Sequence, residues 1–346
     1  MSLKIFFNLL LVIILLLATI FYIKSRSKHD TIFQNLDPKY KPKRFLNLLK
    51  WKLTTKHPVW PKKVLVENYD LPPHKVIDQD KIRISFVGHV TFLIQTNEVN
   101  ILTDPVWSQR ASPFSLIGPK RVIDPGIKLA DLPKIDIIVI SHNHYDHMDL
   151  ATIKTIWQRD KPKIITPLLN DQILKNYIKD ITVTTLNWHE NILLPNNIAI
   201  TLEPAQHWSA RGLFDLNKSL WGNFMIKTPA GTICFIGDSG YNQELYNNIG
   251  IKYDVFLSLI PIGAFEPRWF MQDIHMNPEE AALVHQHLKS KHSIASHFQT
   301  FPLASDQYLQ ASEELSLALQ KYQISKEQFI IPTAGKVYWF NNQKKD

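Results

Sequence analysis

The sequence predicts an α/β protein in which two mixed β-sheets pack face to face with helices on the outside. Three observations carry this expectation. From Lys81 onward, strand patterns come first and then alternate with helical ones, as in two packed sheets covered by helices. The stretch "IDIIVI", residues 135–140, is a continuous apolar run of the kind found in strands covered on both faces. The length of 346 residues, with 45% apolar and 20% charged, suits an ordinary folded chain with one large core or two modest ones.

The chain opens with "IFFNLLLVIILLLATIFYI", residues 5–23, which holds no charge. As a helix it would reach roughly 28 Å, enough for a bilayer core. A secretory leader has an apolar region of only about 7–15 residues and a small-residue cleavage site, and neither feature fits here. The expectation is therefore an uncleaved, single-pass N-terminal transmembrane helix. Residues 1–24 form the anchor, 25–80 a basic juxtamembrane segment and lead-in, and 81–346 the folded domain. Lys24, Arg26 and Lys28 follow the span and favour a cytoplasmic domain. This makes the membrane the expected location and the lipid bilayer an expected partner. Trp51 and Trp60 fit an interfacial collar or packing on the domain equally well.

The net charge of +8 is localised. Residues 1–63 hold 13 Lys and Arg against 2 acids, whereas the remainder has 26 basic and 29 acidic residues. A nucleic-acid enzyme carries its basic surface on the domain that grips phosphates, so no nucleic-acid partner is expected. The single cysteine, Cys234, excludes an internal disulfide and a cysteine-rich metal knuckle, and reads as a buried structural thiol in "TICFIG".

Strands are expected at "KIRISFVG", "VTFLIQT", "VNILTD" and "IDIIVIS", the first two by alternation or β-branched runs. Helices are expected at "DLATIKTIWQ", "NDQILKNYI", "NPEEAALVHQHLKS" and "SDQYLQASEELSLALQKY". The strands between them are "KIIT", "ITVTTL", "IAITLEP", "NFMIKT", "TICFIGD", "VFLSLI" and "SIASH".

The chemistry concentrates in "ISHNHYDHMDL", residues 140–150. His142 and His144 alternate off the end of an apolar strand and share one face. Asp146 and His147 follow, and Asp149 is placed to cap the next helix. Imidazole and carboxylate together suit zinc, with manganese or iron chemically possible. His207, Asp238 and His297 each end a strand pattern and extend the ligand set to seven. His285 and His287, at i and i+2 of a predicted helix, are expected to face solvent.

These motifs resemble the metallo-β-lactamase-fold hydrolases and, within them, the N-acylphosphatidylethanolamine-hydrolysing phospholipase D family. The matches are "VGHVTFLIQ", "LTDPVWSQRASPFSLIGPKR", "ISHNHYDHMD", "PAQHWSAR", "IGDSGY", "PIGAFEPRWFM" and "MNPEEA", across residues 81–340 and more weakly from 42. The resemblance implies an αββα sandwich and two Zn2+ ions per chain. His142, His144 and His207 would hold one ion, Asp146, His147 and His297 the other, with hydroxide and Asp238 bridging. Asp146, Asp238 and His275 would be catalytic, Tyr145 and His275 would line the substrate pocket near the phosphate, and His89 would support a ligand or the core.

The implied reaction is hydrolysis of N-acylphosphatidylethanolamine, a membrane phospholipid, to N-acylethanolamine and phosphatidic acid. The apolar residues of "SPFSLIG" and "PIGAFEPRWFM" would form an acyl groove or pack as loops, and a homodimer is compatible with the sequence. Other hydrolases of the fold, acting on a lactone, a cyclic phosphate or another phosphodiester, would use the same ligands. A nuclease fits the acidic domain less well, and a non-catalytic binding module fits a complete ligand set least.

Overall fold

The computed structural model describes residues 32–342 apart from 38, 41–44, 57 and 213. Two seven-stranded sheets make the body of the molecule. The first contains β1 (Lys81–Gly88), β2 (Thr91–Thr96), β3 (Val99–Thr103), β4 (Ile137–Val139), β5 (Lys163–Pro167) and β6 (Val183–Leu186) in that order. The second contains β7 (Asn191–Leu194), β8 (Ile198–Glu203), β9 (Asn223–Thr228), β10 (Gly231–Phe235), β11 (Val255–Pro261), β12 (His292–Ser296) and β13 (Phe329–Ile330). The chain then returns to the first sheet, where β14 (Val337–Asn341) pairs antiparallel with β1.

The helices are α1 (Phe45–Thr54), α2 (Leu150–Asp160), α3 (Asn170–Tyr177), α4 (Gln243–Lys252), α5 (Arg268–Met271), α6 (Pro278–His287) and α7 (Gln310–Lys321). Alternation sorts the strand side chains between two cores. Ile82, Ile84 and Phe86 face Ile200, Phe224 and Ile233 between the sheets. Leu93, Leu102 and Ile138 face outward, where Ile153, Ile156 and Trp157 of α2 cover them. The short β4 sends Ile137 and Val139 to one core and Ile138 to the other, which is why its sequence is apolar throughout. Cys234 is buried in the main core.

Each sheet changes character midway. In the first, pairing is antiparallel from β14 to β3 and parallel from β3 through β6. In the second it is antiparallel from β7 to β10 and parallel from β10 through β13. β3 and β10 therefore occupy equivalent handover positions.

The αββα sandwich is as expected, but the transmembrane part of the expectation is corrected. Among the described residues no helix is long and apolar enough to cross a membrane. The longest of them, α7, has 12 residues and rises about 18 Å, against about 30 Å of hydrocarbon. The stretch at 5–23 on which that expectation rested lies outside the described residues. The expected membrane location and bilayer partner rested on that stretch, and no helix among the described residues supplies a span for them. Of the two readings of Trp51 and Trp60, the structure shows packing on the domain. Trp51 is buried against Phe270 and donates to Ser305 Oγ at 2.9 Å, while the Trp60 indole donates to the Asp306 carbonyl at 2.9 Å.

A second correction concerns α6. His285 is buried, with Nδ1 2.7 Å from Ser293 Oγ, and Nε2 of the half-buried His287 meets the Tyr241 hydroxyl at 2.8 Å. The helix lies between β11 and α7, so its two histidines face neighbours rather than solvent.

Candidate metal centre

Strand ends deliver every ligand candidate. Asp104 follows β3, His142 to His147 follow β4, His207 follows β8, Asp238 follows β10 and His297 follows β12. In open α/β sheets, crevices form at strand C-termini where connections diverge, and the two handover strands carry Asp104 and Asp238 at that place. The loops are strained there. His89, Asp104 and His297 have φ of 57°, 30° and 60°, a left-handed region that costs residues other than glycine about 1–3 kcal/mol each. Close approach also dictates two glycines. A Cβ on Gly263 would lie 1.9 Å from the His297 carbonyl oxygen, and one on Gly237 would lie 2.3 Å from Ser141 Oγ.

Two clusters result, with Asp238 reaching both. In the first, His142 Nε2 lies 2.8 Å from His144 Nδ1, which lies 3.4 Å from His207 Nε2. Asp238 Oδ2 stands 3.7 Å from His142 Nε2 and 3.6 Å from His207 Nε2. In the second, Asp146 Oδ2 lies 3.3 Å from both His147 Nε2 and His297 Nε2. Asp238 joins them at 3.1 Å from His147 Nε2 and 3.2 Å from His297 Nε2. His89 Nε2 completes this side at 2.9 Å from Asp146 Oδ2.

Such donor sets fit divalent metal. Metal–nitrogen bonds of about 2.0–2.1 Å place neighbouring ligands of a tetrahedron about 3.3 Å apart, close to the spacings here. His147 Nε2, His297 Nε2 and Asp238 Oδ1 are buried without a well-formed hydrogen bond, which a cation between them would remedy.

The surrounding hydrogen bonds orient the lone pairs. His147 Nδ1–H donates to Asp104 Oδ2 at 2.7 Å. The Ser141 hydroxyl donates to the same oxygen at 2.5 Å and accepts from His142 Nδ1–H at 2.9 Å. Asp104 thus sets the tautomer of one histidine in each cluster, leaving both Nε2 atoms free to face a metal. His207 Nδ1–H donates to the Ile274 carbonyl at 2.9 Å, with the same consequence.

Burial, reinforced by the neighbouring imidazole of His147, holds His142 well below the usual imidazole range. Burial also holds His144 down to about 4, and burial with adjacent imidazoles holds His207 and His275 down to about 3. These rings are neutral, as ligands must be. His147 and His297 go the other way. Burial opposes their charge, but the carboxylates of Asp238 and Asp146 outweigh it, raising His147 well above the ordinary value and His297 to about 9. The two carboxylates thus favour positive charge at the centre, which is what a bound cation would supply.

The centre forms the floor of a cleft of 440 Å³ whose walls are largely apolar. Leu48 and Trp51 of α1, Trp208, Phe270, Met271 and Leu303 make those walls. His275 lines the cleft with Nδ1 4.0 Å from Asp238 Oδ2. It precedes Asn277, whose side chain caps α6 in a reciprocal capping box with Glu280. Arg268 grips Glu280 and donates to the His275 carbonyl at 2.9 Å, so the "MNPEEA" motif sets where His275 enters.

Tyr145 lines an adjoining depression with Ser108, Arg110 and Phe114, and its hydroxyl donates to the Arg211 carbonyl at 2.9 Å. Of the two apolar stretches, "PIGAFEPRWFM" reaches the cleft, whereas Phe114, Leu116 and Ile117 of "SPFSLIG" are exposed away from it.

Sequence reasoning missed Asp104, Arg211 and α1. Asp104 was accessible in principle, since it follows "VNILT" as Asp238 follows "TICFIG". Arg211 clamps the ligand loop by donating from Nη1 to the carbonyls of Asn143 at 2.7 Å and Met148 at 2.9 Å. Its guanidinium also stacks 3.9 Å over the Tyr145 ring. Arg211→Leu should lower metal affinity about 10–100-fold, as removal of outer supports does. Arg211→Lys should recover part of this, and equilibrium competition against a chelator measures both.

The Beta-lactamase superfamily domain matches residues 99–298. An N-acyl-phosphatidylethanolamine-hydrolyzing phospholipase D of Caenorhabditis elegans is 38% identical over 268 residues, 73% of this chain and 75% of that protein. A mitochondrial protein of the same description from Saccharomyces cerevisiae is 33% identical over 254 residues, 71% of this chain and 53% of its own length. A metallo hydrolase from Ignicoccus hospitalis superposes with a TM-score of 0.56 at 22% identity, covering 75% of this chain and 99% of the other. An isothiocyanate hydrolase from Delia radicum gut bacteria gives 0.60 at 17%, covering 75% and 99%. At these identities the two structures show the fold alone. With the fold, the paired His/Asp clusters and the domain match in place, the chain belongs to the β-lactamase superfamily and is a metal-dependent hydrolase.

Proposed function

We propose that the protein is a phosphodiesterase of phospholipase D type that hydrolyses N-acylphosphatidylethanolamine to N-acylethanolamine and phosphatidic acid. The observation that carries this reading is a cleft with two metal-ligand clusters at its floor and aromatic and aliphatic walls above them. Such a site suits a substrate with a phosphodiester beside an apolar chain. The worm and yeast relatives, named for that reaction, support the choice.

In this reading His142, His144 and His207 would hold one ion, Asp146, His147 and His297 would hold the second, and Asp238 would serve both. Two divalent ions, zinc best matching the imidazole and carboxylate donors, would polarise a phosphoryl oxygen and bring water toward ionisation near neutral pH. The chain's own groups do the rest. His275, kept neutral by burial, can donate one hydrogen bond to the phosphate or the leaving oxygen. Trp51, Phe270 and Met271 exclude water beside the reacting atoms and bury the acyl chain. Tyr145 contributes through Arg211, because its hydroxyl is already engaged there.

Zinc-loaded protein should turn over N-acylphosphatidylethanolamine in mixed micelles and contain close to two metal ions per chain. In water enriched in oxygen-18, the label should enter phosphatidic acid, because attack falls on phosphorus. Label in the N-acylethanolamine would mean carbon–oxygen cleavage. An untouched phospholipid alongside turnover of a lactone or oligonucleotide would move the protein to another substrate class.

A further inference from the structure

The matched domain begins at residue 99, yet one of the ligand candidates is held from residue 35. His207 lies in the loop after β8, beyond Glu203, the last residue of that strand to pair with β9. Its backbone therefore has no ladder partner, and Asn35 takes that role. The His207 N–H donates to Asn35 Oδ1 at 2.9 Å, and Asn35 Nδ2 donates to the His207 carbonyl at 2.7 Å. The segment is pinned again two residues earlier, where the Phe33 N–H donates to the Asn217 carbonyl at 2.9 Å. Asn217 in turn ties back to Ser209 through N–H to carbonyl at 2.7 Å, and its Oδ1 accepts from the Ser209 N–H at 3.2 Å. Residues 33–35 thus brace both ends of the loop that carries His207 and the cleft residues Trp208 and Leu216.

On the side away from the cluster, the ring of His207 is held by the bond from Nδ1–H to the Ile274 carbonyl. With the backbone released, that bond and the packing of the ring against His142, His144, Trp208 and His275 would have to keep Nε2 aimed at His144 and Asp238. We propose that Asn35 is a positioning residue for the metal ligand His207, so that the metal centre is complete only with a segment lying outside the matched domain. A carboxamide is required because the site needs an acceptor for one backbone group and a donor for the other, which neither alanine nor aspartate supplies in full.

This inference rests on the metal-dependent hydrolase reading and is independent of the lipid substrate. It is tested on the full chain loaded with zinc, by following transfer of metal to a chromogenic chelator. Asn35→Ala should release one of two zinc equivalents about 10–100-fold more readily, with the second unchanged. Its lost activity should return when zinc is in excess. Asn35→Asp, which keeps the acceptor for the His207 N–H, should fall between wild type and Asn35→Ala, and it carries the test if the alanine variant fails to fold. Two equivalents held as tightly as in wild type would overturn the assignment. So would equal weakening of both, which marks general loosening of the fold. Wild-type protein that takes up no zinc would instead overturn the metal reading itself, and the role of Asn35 with it.

Discussion

Asp238→Asn should lower kcat by about three orders of magnitude or more while leaving the protein folded. Asp238 reaches both clusters, within 3.7 Å of His142, His147, His207 and His297. Asparagine has the same shape, but it replaces one acceptor oxygen with an N–H2 group that has no lone pair for a metal and would point its hydrogens at imidazoles or a cation. About 4 kcal/mol of lost transition-state stabilisation corresponds to a thousandfold in rate, a modest demand on a residue that would serve two ions in the proposed site. The fold should survive, because the sheets and the sandwich core do not depend on this side chain. The measurements are kcat at saturating zinc, metal content and far-UV circular dichroism. Near-normal turnover with two ions bound would rule out a shared role for Asp238.

The largest effect on stability is expected at Asp104. Asp104→Ala should cost about 3–5 kcal/mol, the range for removing one partner of a buried, hydrogen-bonded charge. The carboxylate is completely buried and accepts three bonds, from the Ser141 N–H at 2.7 Å, the Ser141 hydroxyl at 2.5 Å and His147 Nδ1–H at 2.7 Å. Alanine orphans all three donors and frees the tautomers of His142 and His147 together. Asp104→Asn keeps one acceptor and should recover part of the loss. Urea unfolding of the zinc-free proteins gives the difference, and a shift below about 1 kcal/mol would show that the donors find water instead.

The ligand-bearing loops were readable because each lies directly after a strand, and strand alternation is a local property. His142 and His144 meet at 2.8 Å, although both lie in the loop beyond Val139, where β4 ends, and Asp149 caps α2 through the Ala151 and Thr152 amides as its position before the helix implies. The apolar run at 135–140 likewise announced a strand covered on both sides. Less was legible where pairing is remote. The edge strands β7 and β14 and the helix α4 carry mixed, half-exposed sequences with little periodicity, and they form because neighbours cover them.

Hydrophobic period and residue type act within a few positions, so the two-sheet architecture, the seven candidate ligands and their attachment to strand ends could be read along the chain. What supports those ligands depends on long-range packing. Asp104 finds Ser141 and His147 from 37 and 43 residues away, and Asn35 finds His207 from 172. Such partners are polar residues in loops, where no period marks them. Their pairing follows from the requirement that buried donors and acceptors be satisfied, and that requirement acts only after the sheets have packed.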